Sequence, residues 1–150
     1  MSELRDLYQE VILDHTRRPR NRRRPEACTA SADGHNPLCG DRLTVYVTVE
    51  DDVVTDVAFE GSGCAISTAS ASMMTDALKG KTRAEVVALF EAFHDVVTGV
   101  VDPASVQDRL GKLAVFTGVS EFPVRVKCAT LAWHTVKAAL DRPGERVTTE

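Results

Sequence analysis

The stretch Leu43-Thr44-Val45-Tyr46-Val47-Thr48-Val49-Glu50-Asp51-Asp52-Val53-Val54-Thr55-Asp56-Val57-Ala58-Phe59-Glu60 decides the fold class. Leu43, Val45, Val47 and Val49 fall on one side of an extended chain, and Thr44, Tyr46 and Thr48 on the other, as a half-buried strand requires. After the polar turn Glu50-Asp51-Asp52, the residues Val53, Thr55, Val57 and Phe59 alternate against Val54, Asp56, Ala58 and Glu60. Two such runs across a short turn predict an antiparallel hairpin.

Outward from the hairpin the periodicity is helical. Leu4, Leu7, Tyr8, Val11 and Ile12 give an amphipathic helix over 4–17, which Pro19 ends. Arg17, Arg18, Arg20, Arg22, Arg23 and Arg24 follow around Pro19 and before Pro25, an extended and solvated linker. No aromatic residue is interleaved for base stacking, so a charged loop is favoured over RNA binding, with docking of an acidic protein partner between the two.

Downstream, Gly61-Ser62-Gly63 breaks the strand pattern, and the small residues of 65–74 suit a closely packed helix stopping at Gly80. Thr82 and Glu85 form a capping-box signature ahead of Val86, Leu89, Phe90, Phe93 and Val97, an apolar helical stripe. Asp102-Pro103 opens a short helix that should stop near Gly111, and Pro123 opens the last helix, carrying Cys128, Leu131, Trp133, Val136 and Leu140. One hairpin among several helices is an α+β arrangement. We expect a single domain over 1–141 and a flexible C-terminal tail over 142–150, which has little to bury.

At 150 residues the chain is long enough to build one buried core without staples. Acidic residues outnumber basic ones by 22 − 18 = 4, which with a pI near 5.6 argues against a dedicated DNA or RNA binder. The start lacks a basic segment followed by an apolar one, and Glu91, His94 and Asp95 interrupt the most apolar run, 86–101, so we expect neither a signal peptide nor a membrane span. A cytoplasmic location follows as an expectation. In a reducing compartment Cys28, Cys39, Cys64 and Cys128 are more often ligands, nucleophiles or core than cross-links.

Cys39-Gly40-Asp41 places a thiol and a carboxylate two apart in extended chain, where both project to one side and can share an ion. Cys64 stands where a glycine-rich loop meets a helix N-terminus, a position that favours thiolate. Cys128 lies in the opening turns of the last helix, and only the fold can bring it to the other two. Three thiolates and a carboxylate suit tetrahedral zinc, and thiolate-rich sites also serve iron–sulfur clusters. Cys28 has no local partner motif and reads as structural or incidental. His35, four residues before Cys39, is a candidate to support a ligand from behind, whereas His15, His94 and His134 read as packing or surface.

Three blocks match a known family: Tyr8-Gln9-Glu10-Val11-Ile12-Leu13-Asp14-His15 with Pro19-Arg20-Asn21, then Asn36-Pro37-Leu38-Cys39-Gly40-Asp41, then Phe59-Glu60-Gly61-Ser62-Gly63-Cys64-Ala65-Ile66-Ser67. They resemble the IscU/NifU N-terminal family of iron–sulfur assembly proteins over most of the chain. Phe122-Pro123-Val124-Arg125-Val126-Lys127-Cys128 narrows the likeness to the SufU-type branch. Scaffolds of the IscU type carry a histidine where this chain has Lys127, a cation that cannot ligate zinc while protonated. The stretch from Cys64 to Cys128 is also longer than in the scaffold branch.

The resemblance implies an IscU/NifU-like small antiparallel sheet packed against helices. It further implies a zinc-dependent sulfurtransferase that accepts persulfide sulfur from a SufS-type cysteine desulfurase and passes it toward a SufBCD-type scaffold. By position Cys39 matches the sulfur-accepting thiol, and Cys39, Asp41, Cys64 and Cys128 match the zinc ligands. Arg125 and Lys127 are the cations expected to offset the negative charge of that ligand set. Two other functions share these thiols: a scaffold assembling a [2Fe–2S] cluster, and a non-catalytic adaptor that zinc merely stabilises.

Overall fold

The computed structural model describes residues 2–37, 40–102, 110–121, 123–141 and 146–148. Helix α1 (Ser2–Arg17) is followed by strands β1 (Ala30–Asn36), β2 (Asp41–Glu50) and β3 (Val53–Ser62). Then come α2 (Ala65–Leu78), β4 (Lys81–Thr82), α3 (Arg83–Val97), a 3-10 segment (Gly111–Glu121), α4 (Pro123–Asp141) and β5 (Arg146–Thr148). The strands form one sheet in the order β4-β3-β2-β1-β5, antiparallel except for the β1–β5 pair.

The hairpin of β2 and β3 forms as the alternation predicts, with Leu43, Val45 and Val47 buried. A register shift between Thr48 and Val49 changes the second half of the pattern. Val54, not Val53, is buried at the start of β3, because Thr55 is an extra residue between the Thr48–Asp56 and Val49–Val54 pairs and reverses the facing of the residues before it.

Helices cover one face of the sheet. Helix α4 packs on β1 and β2, α2 packs on α4 and β3, and α1 packs on α2. Gly34 of β1 allows α4 to approach closely, since a Cβ there would lie 2.2 Å from the Thr135 hydroxyl on α4. Trp133 of α4 stacks on Phe93 of α3 at 4.5 Å between ring centres, and Phe116 meets Phe93 edge-on at 5.8 Å. All three rings are fully buried, and burial of each stabilises the fold by about 1.5–3 kcal/mol. The capping box at the head of α3 is complete: the Thr82 hydroxyl accepts the Glu85 N–H, and the Glu85 carboxylate accepts the Thr82 N–H.

The structure refines two expectations, and two others fall outside this description. Arg146–Thr148 of the expected tail form β5, which adds a parallel edge to β1 at Asp33, Gly34 and His35. The arginine-rich linker is extended but not free: Arg23 N–H donates to Phe59 C=O and Phe59 N–H donates to Asn21 C=O, sewing it along β3. Residues 103–109 of the helix expected from Asp102, and Cys39, lie outside the described residues.

Candidate metal centre

Asp41, Cys64 and Cys128 converge, one potential ligand atom from each lying within 4.8 Å of the others. Asp41 is the first residue of β2, Cys64 the N-cap of α2, and Cys128 sits in the second turn of α4. Asp41 is 0% exposed and Cys128 2%, whereas Cys64 is half-buried. The site therefore opens toward solvent on its Cys64 side.

Local chain chemistry fixes each donor. One Asp41 oxygen, Oδ1, accepts the Cys64 backbone N–H at 2.8 Å. The other, Oδ2, accepts the Asn36 amide at 3.3 Å. Each oxygen keeps a lone pair beyond those bonds. Cys64 Sγ caps its own helix by accepting the Ser67 N–H at 3.4 Å, so the sulfur stands at the positive end of α2. Gly63 gives the carboxylate room, since a Cβ there would lie 2.7 Å from Asp41 Oδ1.

A buried carboxylate beside two thiols is a borderline-soft donor set of the kind zinc takes up. Such a group of three acceptors is costly to leave together without a cation. The residues present therefore fit a zinc ion, with a fourth position to be filled.

The remaining candidates are placed as follows. Arg125 is exposed and Lys127 half-buried on the first turns of α4. No hydrogen bond or ion pair of the Lys127 ammonium is found among the described residues. His35 alternates with the buried residues Gly34 and Asn36, so it stands on the sheet face away from Asp41. Asn36 does instead what His35 was a candidate for: its Nδ2 reaches both Asp41 Oδ2 and, at 3.5 Å, Cys128 Sγ. The sequence block around Cys39 contained Asn36, but only the fold shows its reach to α4.

His15 is buried, with Nδ1 2.6 Å from the Ser72 hydroxyl, and burial lowers its pKa below the ordinary value. His94 and His134 pack around Phe90 on α3 and α4. Cys28 is exposed. The arginines largely serve the fold. Arg18 and Arg20 pair with Asp14, Arg22 donates to the Gly61 C=O, and Arg23 pairs with Asp56.

The family described as NifU-like N terminal domain matches residues 7–148. The iron–sulfur cluster assembly scaffold protein IscU of Streptococcus pyogenes serotype M1 is 43% identical over 142 residues, 95% of this chain and 87% of its own. The zinc-dependent sulfurtransferase SufU of Bacillus subtilis is 41% identical over 136 residues, 91% of this chain and 90% of its own. A crystal structure from Fervidobacterium islandicum AW-1, of a protein assigned to iron–sulfur cluster assembly for the SUF system, superposes with a TM-score of 0.81. It is 34% identical and covers 87% of this chain and 94% of its own. Among the described residues no helix is long and apolar enough to cross a membrane.

Proposed function

Since the chain belongs to the NifU-like N-terminal domain family of iron–sulfur cluster assembly proteins, we propose that it is a zinc-dependent sulfurtransferase. It accepts persulfide sulfur from a SufS-type cysteine desulfurase and relays it toward a SufBCD-type scaffold. The observation that carries this reading is the convergence of one carboxylate and two thiols, with Cys39 separated from that carboxylate by Gly40 alone. Cys39, Asp41, Cys64 and Cys128 would hold the ion. A bound zinc ion keeps its cysteine ligands as thiolates and couples metal binding to folding.

The chain's own residues divide the work. Cys128 is 2% exposed and cannot meet a persulfide on another protein. Cys64 is occupied in capping α2. Cys39 belongs to the connection 37–40 between β1 and β2 and is the sulfur acceptor. Its thiolate attacks the outer sulfur of the desulfurase persulfide, a new S–S bond forms on Cys39, and the desulfurase cysteine leaves as thiolate. Lys127 stands beside Cys128 where the scaffold branch carries a histidine, so Asp41 supplies the donor that histidine would give.

The second reading is a scaffold that builds a [2Fe–2S] cluster on the same thiols, and the 43% identity to the Streptococcus scaffold protein favours it. The test is to mix the zinc-loaded protein with a cysteine desulfurase and free cysteine, then map persulfide by mass spectrometry without reductant. Persulfide on Cys39 with zinc retained is expected. An active desulfurase that leaves Cys39 unmodified would sink the sulfurtransferase, and transfer of an intact cluster from protein reconstituted with iron and sulfide would establish the scaffold.

A further inference from the structure

We propose that Asn36 is a positioning residue of the metal centre, its buried amide holding the Asp41 carboxylate and the Cys128 thiolate in place for the ion. The inference rests on the reading of Asp41, Cys64 and Cys128 as ligands and names a residue that acts through two of them.

Asn36 ends β1 and pairs with Asp41 across the mouth of the connection that carries Cys39. Its side chain is 0% exposed. A single nitrogen, Nδ2, serves two acceptors from different elements: Asp41 Oδ2 on β2 at 3.3 Å and Cys128 Sγ on α4 at 3.5 Å. The amide thus ties three elements together at the point where the donors converge. Turned over, it would set Oδ1 against the carboxylate and the sulfur, acceptor against acceptor, so the two neighbours fix its orientation.

The other end of the amide shows that the fold alone does not explain it. Asn36 Oδ1 is buried and has no hydrogen-bond partner among the described residues. A buried unsatisfied carbonyl is a cost to the folded chain, and an apolar side chain of similar size would avoid it. The Nδ2 bond to the Asp41 carboxylate is also long for an amide donor and repays little of that cost.

A donor aimed at a thiolate draws electron density from sulfur, which fixes its direction and makes it a weaker nucleophile. Asn36 does this to Cys128, and the Ser67 N–H does it to Cys64. The two thiols so restrained act as fixed ligands, and the thiol of the 37–40 connection is left to react.

The test compares wild type with Asn36→Leu and Asn36→Ala, each loaded with Co²⁺ as a coloured substitute for zinc. Three quantities are read: affinity by chelator competition, the energy of the thiolate-to-cobalt charge-transfer band, and the melting temperature of the metal-free chain. The metal-free Asn36→Leu chain should melt at or above the wild-type temperature and Asn36→Ala below it, since alanine leaves a cavity, while both should hold Co²⁺ about 10- to 100-fold more weakly. Loss of the donor raises the sulfur lone pair in energy, so the band should move to longer wavelength. Unchanged affinity and band would overturn the proposal and leave the metal centre standing. A fallen metal-free melting temperature of Asn36→Leu with an unmoved band, or failure of both variants to fold, would assign Asn36 to structure alone and overturn it too. A wild-type chain that takes up no Co²⁺ would instead remove the metal reading on which the proposal rests.

Discussion

The Asp41 carboxylate and the Cys64 backbone are joined directly, Oδ1 accepting the Cys64 N–H at 2.8 Å. The bond ties the first residue of β2 to the N-cap of α2. It also satisfies one of the helix-end donors that would otherwise lack a partner. The same carboxylate is therefore a cap, a bridge and a candidate ligand.

Replacing it tests all three roles. Asp41→Ala removes a donor from the ligand set and leaves the Cys64 N–H and Asn36 Nδ2 without that acceptor. We expect zinc affinity to fall by more than about 10-fold in chelator competition. Unchanged affinity would show that another residue supplies the fourth donor.

Gly63 offers a second route to the same carboxylate without touching it chemically. An alanine Cβ would lie 2.7 Å from Asp41 Oδ1 and 3.2 Å from Ser67 Oγ, so the carboxylate must shift. Gly63→Ala should destabilise the metal-free chain by about 1–3 kcal/mol and weaken zinc binding as well. Urea unfolding with and without chelator separates the two effects, and a variant indistinguishable from wild type in both would refute the close-contact argument.

The sequence makes the central hairpin and the long helices legible because their apolar residues recur at periods of two and about four. Strand β1 was not legible, since Ala30-Ser31-Ala32-Asp33-Gly34-His35-Asn36 has no β-branched or aromatic residue. It is a strand because β2 and β5 pair with it on both edges and α4 packs on Gly34. The flip at Val54 was hidden for a related reason: a bulge is a property of two paired strands, not of one. At the site, motif spacing and family likeness pointed to the thiols and Asp41. Asn36 stood in the same block, but its reach to Cys128, 92 residues away, exists only in three dimensions.

Two histidines, His15 buried and His134 half-buried, predict an acid-sensitive fold. Burial lowers the pKa of His15, aided by Arg20, and burial with nearby His94 and Lys137 lowers that of His134. The unfolded chain therefore takes up protons first, near the ordinary value of 6.5. Stability is fully present above that pH and declines as pH falls through it toward the lower folded-state values. Denaturant unfolding of the metal-free chain between pH 7.5 and 5.5 should show this slope, and His15→Gln should flatten it. An equally steep slope in that variant would exclude His15 as its source.

Arg23 tests whether the arginine strap serves the fold. Its Nη2 lies 2.6 Å from both Asp56 oxygens, and its backbone donates to Phe59 C=O, so the strap is fastened to β3 by side chain and main chain. The ion pair is partly exposed, which limits its worth. Arg23→Ala should cost up to about 1 kcal/mol in low salt. The loss should shrink at about 1 M salt, where screening is short-ranged. A loss independent of salt would place the effect in packing.

Ser70 fastens the helices behind the candidate metal centre. Its hydroxyl donates to the Ala129 C=O of α4, next to Cys128, and accepts the Trp133 indole N–H at 3.2 Å. Ser70 is 0% exposed, so no water replaces these bonds when the hydroxyl is removed. Ser70→Ala should therefore destabilise the fold by about 1–3 kcal/mol, the cost of leaving a buried indole N–H unpaired. Because Ala129 follows Cys128 directly, the same change should loosen the turn of α4 that presents the thiol. Amide hydrogen exchange would show it as faster exchange around Cys128 in the metal-free chain, and protection restored by zinc would tie that turn to the metal.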